Sequence, residues 1–203
     1  IGVNPIRSGC NAVADGWGGI TPGTDGLFIL SLVHCLLKAG KIDLDYLAQL
    51  TNAPVLINND PKAPEYGLFL RDDDGKMQVI DRRTGKLAPF DQKGVRPGLS
   101  ATHRQAGVTY VPVMHRLVER YMSDDYAPEA VEERCGIKAE KIRTIAAEIA
   151  RVAFDEEFVL ETPWTDFRGE KHEVMVGRPV RFHSMRGISA HSNGFPTGRS
   201  RHL

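Results

Sequence analysis

The sequence predicts an α/β protein, and three observations support this. A strand-like piece, Ile1–Pro5, feeds a glycine-rich turn near the start. A second such pair, Arg181–Met185 followed by Gly187–Gly194, stands near the end. Between them lie segments with the apolar period of helices, clearest at Ile142, Ile145, Ile149 and Val152. Strand, turn and helix in this arrangement suggest packed α/β layers.

The elements follow in order. Ile1–Pro5 reads as the tail of a strand, because Pro5 stops a ladder. Residues 7–19 are rich in Gly, Ser and Asn, with a short helical possibility at Ala12–Ala14. Next comes Ile20-Thr21-Pro22-Gly23-Thr24-Asp25-Gly26, the most informative stretch of the chain. Pro22 and Gly23 force a tight turn, and Thr24 or Asp25 opens a helix running to Ala39. Phe28, Leu32, Cys35 and Leu36, flanked by Ile29 and Val33, give that helix a wide apolar stripe, so it is buried on most sides. Gly40 stands where a left-handed cap belongs.

Asp43 caps a second helix, Leu44–Leu50, and Val55–Ile57 is a short strand. Tyr66–Leu70 and Met77–Ile80 flank Asp72-Asp73-Asp74-Gly75, a hairpin signal. Arg83–Lys86 gives a further turn, and residues 81–108 show weak periodicity. Pro112 and Pro128 each open a helix, the second ended by Gly136, and an amphipathic helix spans Ala139–Ala153. Phe158–Glu161 is a strand, while Glu170–His172 and Val174–Val176 are loop or strand. The predicted organisation is a nucleotide-binding strand-loop-helix segment over 1–57 and an irregular insertion over 58–108 whose firm element is the hairpin. The helices, strands and glycine loop of 109–203 complete the same domain, a Rossmann-like layering of sheet and helices.

Composition excludes several classes. Lys plus Arg and Asp plus Glu balance at 26 each, so nothing marks a nucleic-acid partner. No apolar run approaches the roughly 18 residues of a membrane span; Leu27–Leu37 is broken by Ser31 and His34, and no direct membrane insertion is expected. Cys10, Cys35 and Cys135 form no C-x-x-C pair, so neither zinc nor a cysteine-bound iron–sulfur cluster is encoded within the chain. They read as reduced thiols acting as small apolar residues. Asp72–Asp74 lacks the glutamate of a calcium loop and reads as a solvated turn. His34 reads as a core residue, and His103, His115 and His172 share no ligand-like spacing. No metal ligand and no catalytic side chain is assigned. The chain opens on Ile1 and closes on Arg201-His202-Leu203, and both ends read as cut from something longer.

Two stretches carry candidate chemistry. Gly16, Gly18, Gly19, Gly23 and Gly26 cluster ahead of one helix, where glycine lets backbone amides approach a phosphate or a flat ring. The spacing is neither G-x-G-x-x-G nor a Walker motif. The Pro22-Gly23-Thr24-Asp25 order instead combines a turn, a cap and a carboxylate able to accept hydrogen bonds from a purine edge or a ribose. The alternative is that Asp25 only caps the helix. The second stretch, Met185–Gly194, sets Arg186, His191 and Asn193 among small residues, where α/β sheets place ligands; the alternative is a surface turn with His191 solvated.

Val3-Asn4-Pro5-Ile6-Arg7, then Ala14-Asp15, then Ile20–Gly26, resembles the molybdopterin oxidoreductases of the dimethyl sulfoxide reductase type. Cys135-Gly136-Ile137 with the helix Ile142–Ala150 is similar to that family's short helix, glycine and Ile-x-x-x-Ala helix, and Gly187–Gly194 to its glycine loop near the pterin. The resemblance covers most of the chain outside 58–108. It implies a bis(molybdopterin guanine dinucleotide) cofactor with molybdenum or tungsten. Gly23, Thr24 and Asp25 would help hold a guanosine end and Asn4 its hydroxyls, with Arg7 and Pro22 also among the cofactor-binding residues. Gly187, His191, Ser192 and Asn193 would lie nearer the pterin or substrate funnel. Asn4 stands where the family often has Asp. The family's iron–sulfur segment and metal-ligating residue lie upstream, and its second cofactor-binding domain downstream. The chain thus resembles an internal piece of a catalytic subunit, inactive alone. Its partners would be the rest of that subunit plus an iron–sulfur electron-transfer subunit. The histidine-bearing loop is similar to that of members acting on sulfur oxyanions such as sulfite, and formate dehydrogenase-like members fit equally.

Overall fold

The computed structural model describes residues 1–166, 169–178 and 180–182. It separates into two units, one of Ile1–Lys41 with the described residues from Ser123 onward, the other of Ile42–Met122. The class is mixed α/β, as the sequence predicts. The strands form small sheets of two or three members among the described residues, not one layered Rossmann-like sheet.

In the first unit, β1 (Gly2–Val3) and β2 (Trp17–Gly18) pair in parallel. Helix α1 spans Asp25–Lys38. Its end follows the sequence signal: Gly40 has a φ of 64°, and Lys41 N–H donates to the Leu36 carbonyl at 3.0 Å, satisfying a carbonyl the helix leaves open.

The second unit begins with α2 (Leu44–Leu50), whose N-cap Asp43 accepts from Tyr46 N–H at 2.8 Å. Strand β3 (Leu56–Asn58) follows, then β4 (Gln78–Ile80), β5 (Leu87–Pro89), β6 (His103–Gln105), β7 (Val108–Pro112) and helix α3 (Val113–Tyr121). The sheet order is β3-β7-β6, all antiparallel, beside the separate β4-β5 pair. The expected turn at Asp72–Gly75 forms, with Asp72 Oδ1 accepting from Lys76 N–H at 2.8 Å. The Arg71–Met77 bridge closes it, with Asp72 N–H donating to the Lys76 carbonyl at 3.1 Å and Gln78 N–H to the Leu70 carbonyl at 2.9 Å, while the ladder partner of β4 is β5. Buried Asp81 sets that second turn, accepting from Arg83 N–H at 3.0 Å. Leu56, Leu70 and Ile80 form this unit's core. The unit's bounds at 42 and 122 enclose the expected insertion bounds at 58 and 108.

The chain re-enters the first unit with α4 (Pro128–Cys135) and α5 (Ala139–Ala150), which continues into a π turn over Arg151–Asp155. Strands β8 (Phe158–Leu160), β9 (Trp164–Thr165), β10 (Lys171–His172) and β11 (Met175–Gly177) pair as β9-β10 and β8-β11, both antiparallel. The core of this unit lies among α1, α4 and α5, where Phe28, Leu32, Val131, Cys135, Ile142 and Ile145 meet. Among the described residues, no helix is long and apolar enough to cross a membrane.

Candidate functional site

The junction ahead of α1 is built on two supports. The first is the β1–β2 pair. Asn4 N–H extends its ladder by donating to the Gly18 carbonyl at 3.1 Å, and the Trp17 indole N–H donates to the Asn4 carbonyl at 3.0 Å. Lys141 on α5 donates to the Trp17 carbonyl. The second support is the end of α4. Thr21 N–H donates to the Cys135 carbonyl at 2.8 Å. Gly136 turns left-handed there with a φ of 77°. A Cβ at Gly136 would stand 3.1 Å from Thr21 Oγ1 and 3.5 Å from the Gly19 carbonyl oxygen, so glycine is needed both for its backbone and for the close approach.

On this base the Pro22–Asp25 turn stands open. Gly23 takes a φ of 81°, and a Cβ added at Gly23 or Gly26 would meet nothing within 4 Å. Thr24 is the N-cap by position, yet its hydroxyl donates back to the Thr21 carbonyl at 2.6 Å and caps nothing. The first turn of α1 therefore keeps its amides free of a side-chain cap, and they carry the positive end of the helix dipole. Asp25 is the first helical residue, half-buried, and among the described residues its carboxylate has no hydrogen-bond or ion-pair partner. Pro22 and Gly23 are exposed. Asn4 is exposed with its side chain 3.4 Å from Ile6 N–H, and Arg7 is exposed on the loop beyond. Gly187, His191, Ser192 and Asn193 lie outside the described residues.

The elbow between α4 and α5 is fixed electrostatically. The Glu132 carboxylate accepts from Lys138 Nζ at 2.6 Å and from Ala139 N–H, at the start of α5, at 2.9 Å. The Lys138 hydrogen bond, then the Ala139 N–H, hold Glu132 below the usual carboxylate range. In return the Glu132 bond raises Lys138 above the ordinary lysine value. Asp81 in the second unit is likewise depressed, first by the Arg83 N–H bond. The contribution of both carboxylates to stability is complete above the ordinary carboxylate range and is lost as pH falls through their lowered folded values. That of Lys138 is complete below the ordinary lysine value and is lost as pH rises through its raised one. The contribution of these three groups is therefore expected to be flat from about pH 5 to 9. Glu132→Gln should flatten the acid limb in a denaturation series run from about pH 5 to 2.

Other expected features fall into place. His34 is buried on α1, and Cys135 is buried in the core. Cys35 is half-buried, and its burial raises the thiol, against the opposing charge of Arg143. An open cavity of about 520 Å³ lies beside His34 and Cys35, bordered by Lys38, Glu129 and Arg143. It sits toward the C-terminal end of α1, away from the Asp25 mouth. In the second unit a cavity of about 550 Å³ is bordered by Asp45, Gln49, Arg82, Phe90 and Arg96. Arg82 there pairs with Asp45 at 3.4 Å. One grouping escaped the sequence reading: Asp166, Glu170 and His172 bring ligand atoms within 4.8 Å of one another. The β9–β10 register creates it, and local contacts account for it. His172 stacks on Trp164 with ring centroids 4.7 Å apart, and Asp166 accepts from Glu170 N–H at 2.9 Å.

No family model matches the chain. Individual proteins do. The sulfite dehydrogenase A-subunit of Allochromatium vinosum is 37% identical over 98% of this chain, a match taking in 22% of that protein. The nitrate-inducible formate dehydrogenase major subunit of Escherichia coli is 30% identical over 66% of the chain and 12% of its own length. The chlorate reductase alpha subunit of Ideonella dechloratans is 28% identical over 64% of the chain and 16% of its own length. The chain belongs to the molybdopterin oxidoreductases of the dimethyl sulfoxide reductase type.

As a molybdopterin oxidoreductase chain, it spans less than a quarter of the curated relatives it matches. The resemblance first carried by Pro22–Asp25 thus extends over nearly the whole sequence in one relative, the excursion included.

Proposed function

We propose that this chain forms the part of a molybdenum or tungsten oxidoreductase that grips one guanosine end of a bis(molybdopterin guanine dinucleotide) cofactor. The observation that carries this is the α1 mouth, with uncapped amides, an open glycine turn and an unpartnered, half-buried Asp25 carboxylate on one short stretch. Guanine presents an N–H and an adjacent NH₂ on one edge, a donor pair that a single carboxylate can accept. Asp25 would take that edge, and the amides at the helix mouth would favour the anionic groups of the dinucleotide. Asn4 and Arg7, on the β1 side of the junction, would serve the guanosine hydroxyls and phosphates. Gly187, His191, Ser192 and Asn193 are proposed nearer the pterin.

When bound, the cofactor supplies the two-electron or oxygen-atom chemistry, and the protein supplies orientation and a dry site. The proposed substrate is a sulfur oxyanion such as sulfite, oxidised to sulfate with an oxygen atom from water and release of two electrons and two protons. The relative matched over nearly the whole chain supports that choice. Formate is the second reading, supported by the formate dehydrogenase match. The electrons would pass to an iron–sulfur subunit. This chain alone, at less than a quarter of its relatives' length, is proposed to be inactive.

The test is stoichiometric. The full-length subunit should yield two guanine nucleotides on acid hydrolysis for each molybdenum or tungsten atom. Guanine nucleotide binding without metal or pterin would instead support a nucleotide-binding module without redox chemistry.

A further inference from the structure

Strands β8 and β11 carry no polar side chain. Their register sets Leu160 against Met175, Val159 against Val176 and Phe158 against Gly177. Side chains alternate across a ribbon, and directly paired residues share a face. One face therefore shows Phe158, Leu160 and Met175, and the other shows Val159 and Val176. All five are exposed, Val159 at 54% and Val176 at 55%.

A ribbon packed on one face and wet on the other alternates apolar with polar residues, while a strand apolar throughout is covered on both sides. Single exposed apolar residues need no explanation, but a contiguous two-sided group does. The ribbon also has two outer edges without a strand partner among the described residues. Two strands alone are marginal in water.

We propose that β8 and β11 are two strands of a larger sheet completed by the remainder of the catalytic subunit, which pairs with a ribbon edge and lays apolar side chains over both faces. This rests on the reading that the chain is one part of such a subunit. Length argues for that occupant. The match to the sulfite dehydrogenase relative uses 98% of this chain but 22% of that protein, so most of a subunit of that size is chain not contained here. Geometry argues for it too. A second copy docking through a two-fold axis covers one face, whereas two opposite apolar faces call for cover from both sides, which one polypeptide wrapped around the ribbon supplies.

The experiment uses the full-length catalytic subunit, monomeric and without other subunits. Val159→Cys and Leu160→Cys report the two faces, and Lys93→Cys reports an exposed position. Thiol labelling, read peptide by peptide by mass spectrometry, should be at least roughly 100-fold slower at 159 and 160 than at 93. Amide exchange of residues 158–160 and 175–177 in the unmodified subunit should be slowed in parallel, which keeps the test intact if a variant fails to fold. Labelling at the Lys93→Cys rate at either position overturns the proposal. So does protection that arises only once an iron–sulfur subunit is present, or that vanishes when a dimer is diluted apart. Molybdenum and guanine nucleotide content, measured on the same sample, separates the two ideas. A protected ribbon in a subunit without cofactor removes the cofactor reading and keeps the surface, and a labelled ribbon in a loaded subunit does the reverse.

Discussion

Ile142→Ala is expected to lower the stability of the first unit by about 3 kcal/mol, within the 2–5 kcal/mol range for truncating a buried Ile or Leu. Ile142 is 0% exposed and sits where α1, α4 and α5 meet. Removing its outer carbons leaves a cavity that three helices, braced at the Glu132 elbow, cannot easily close. The measurement is native-state amide exchange of α1, α4 and α5, where protection should fall by roughly 100-fold. Thr144→Ala on the same helix is the control. Thr144 is exposed, its hydroxyl donates only to the Glu140 carbonyl at 3.0 Å, and the change should stay within about 0.5 kcal/mol. Equal effects at the two positions would mean that α5 is not packed as described.

That core was legible in the sequence because helices announce themselves by period. The Pro128 start and Gly136 stop of α4 and the Ile142–Ile145–Ile149 face of α5 each combine a local signal with a burial signal that agrees with it, whereas α1, expected to be buried on most sides, buries the face of Phe28, Ser31, Leu32 and His34 and leaves Ile29 exposed. The second unit was less legible for the opposite reason. Its strands are three to five residues long, too short for a two-residue period to stand out. The Asp72–Gly75 turn is legible from its residue types, but a turn does not say which neighbouring strand a residue pairs with. Gln78–Ile80 found Leu87–Pro89 because buried Asp81 organises the later turn. The β6–β7 turn is Ala106-Gly107 with φ values of 49° and 81°. Alanine in a left-handed position gives no sequence warning, unlike the Asn-Gly or Asp-Gly pairs that favour such turns.

The candidate site divides in the same way. Tight turn, positive-φ glycine and helix start all follow from Pro22-Gly23-Thr24-Asp25, because each residue type there answers a backbone demand. What the sequence could not show is that Thr24 turns its hydroxyl back to Thr21, leaving the mouth uncapped. Nor could it show that α4 ends against this loop, since Thr21 and Cys135 are 114 residues apart in the chain and only folding brings them to 2.8 Å. The Asp166–Glu170–His172 grouping was hidden for a related reason: it depends on the register of a two-residue ribbon.

Asp25→Ala in the full-length subunit is expected to weaken retention of the guanosine end by about 1–3 kcal/mol, the loss for a hydrogen bond to a charged group. That is a retention roughly 5- to 150-fold poorer. The loss should show as a lower yield of guanine nucleotide and of molybdenum per subunit following dilution or gel filtration. The fold should not follow it down. Asp25 is half-buried and, among the described residues, its carboxylate bonds to nothing. Only its favourable place at a helix start is forfeited, a few tenths of a kcal/mol at such a site. Asp25→Asn should fall between the two, because an amide keeps one acceptor oxygen but loses the charge and brings donors toward the donor pair of guanine. Thr24→Ala makes the opposite comparison. It removes the 2.6 Å bond to Thr21 that shapes the turn, so it should cost stability while leaving the carboxylate in place. Full cofactor retention in Asp25→Ala would reduce the junction to a helix start and remove the physical basis for placing a guanosine there.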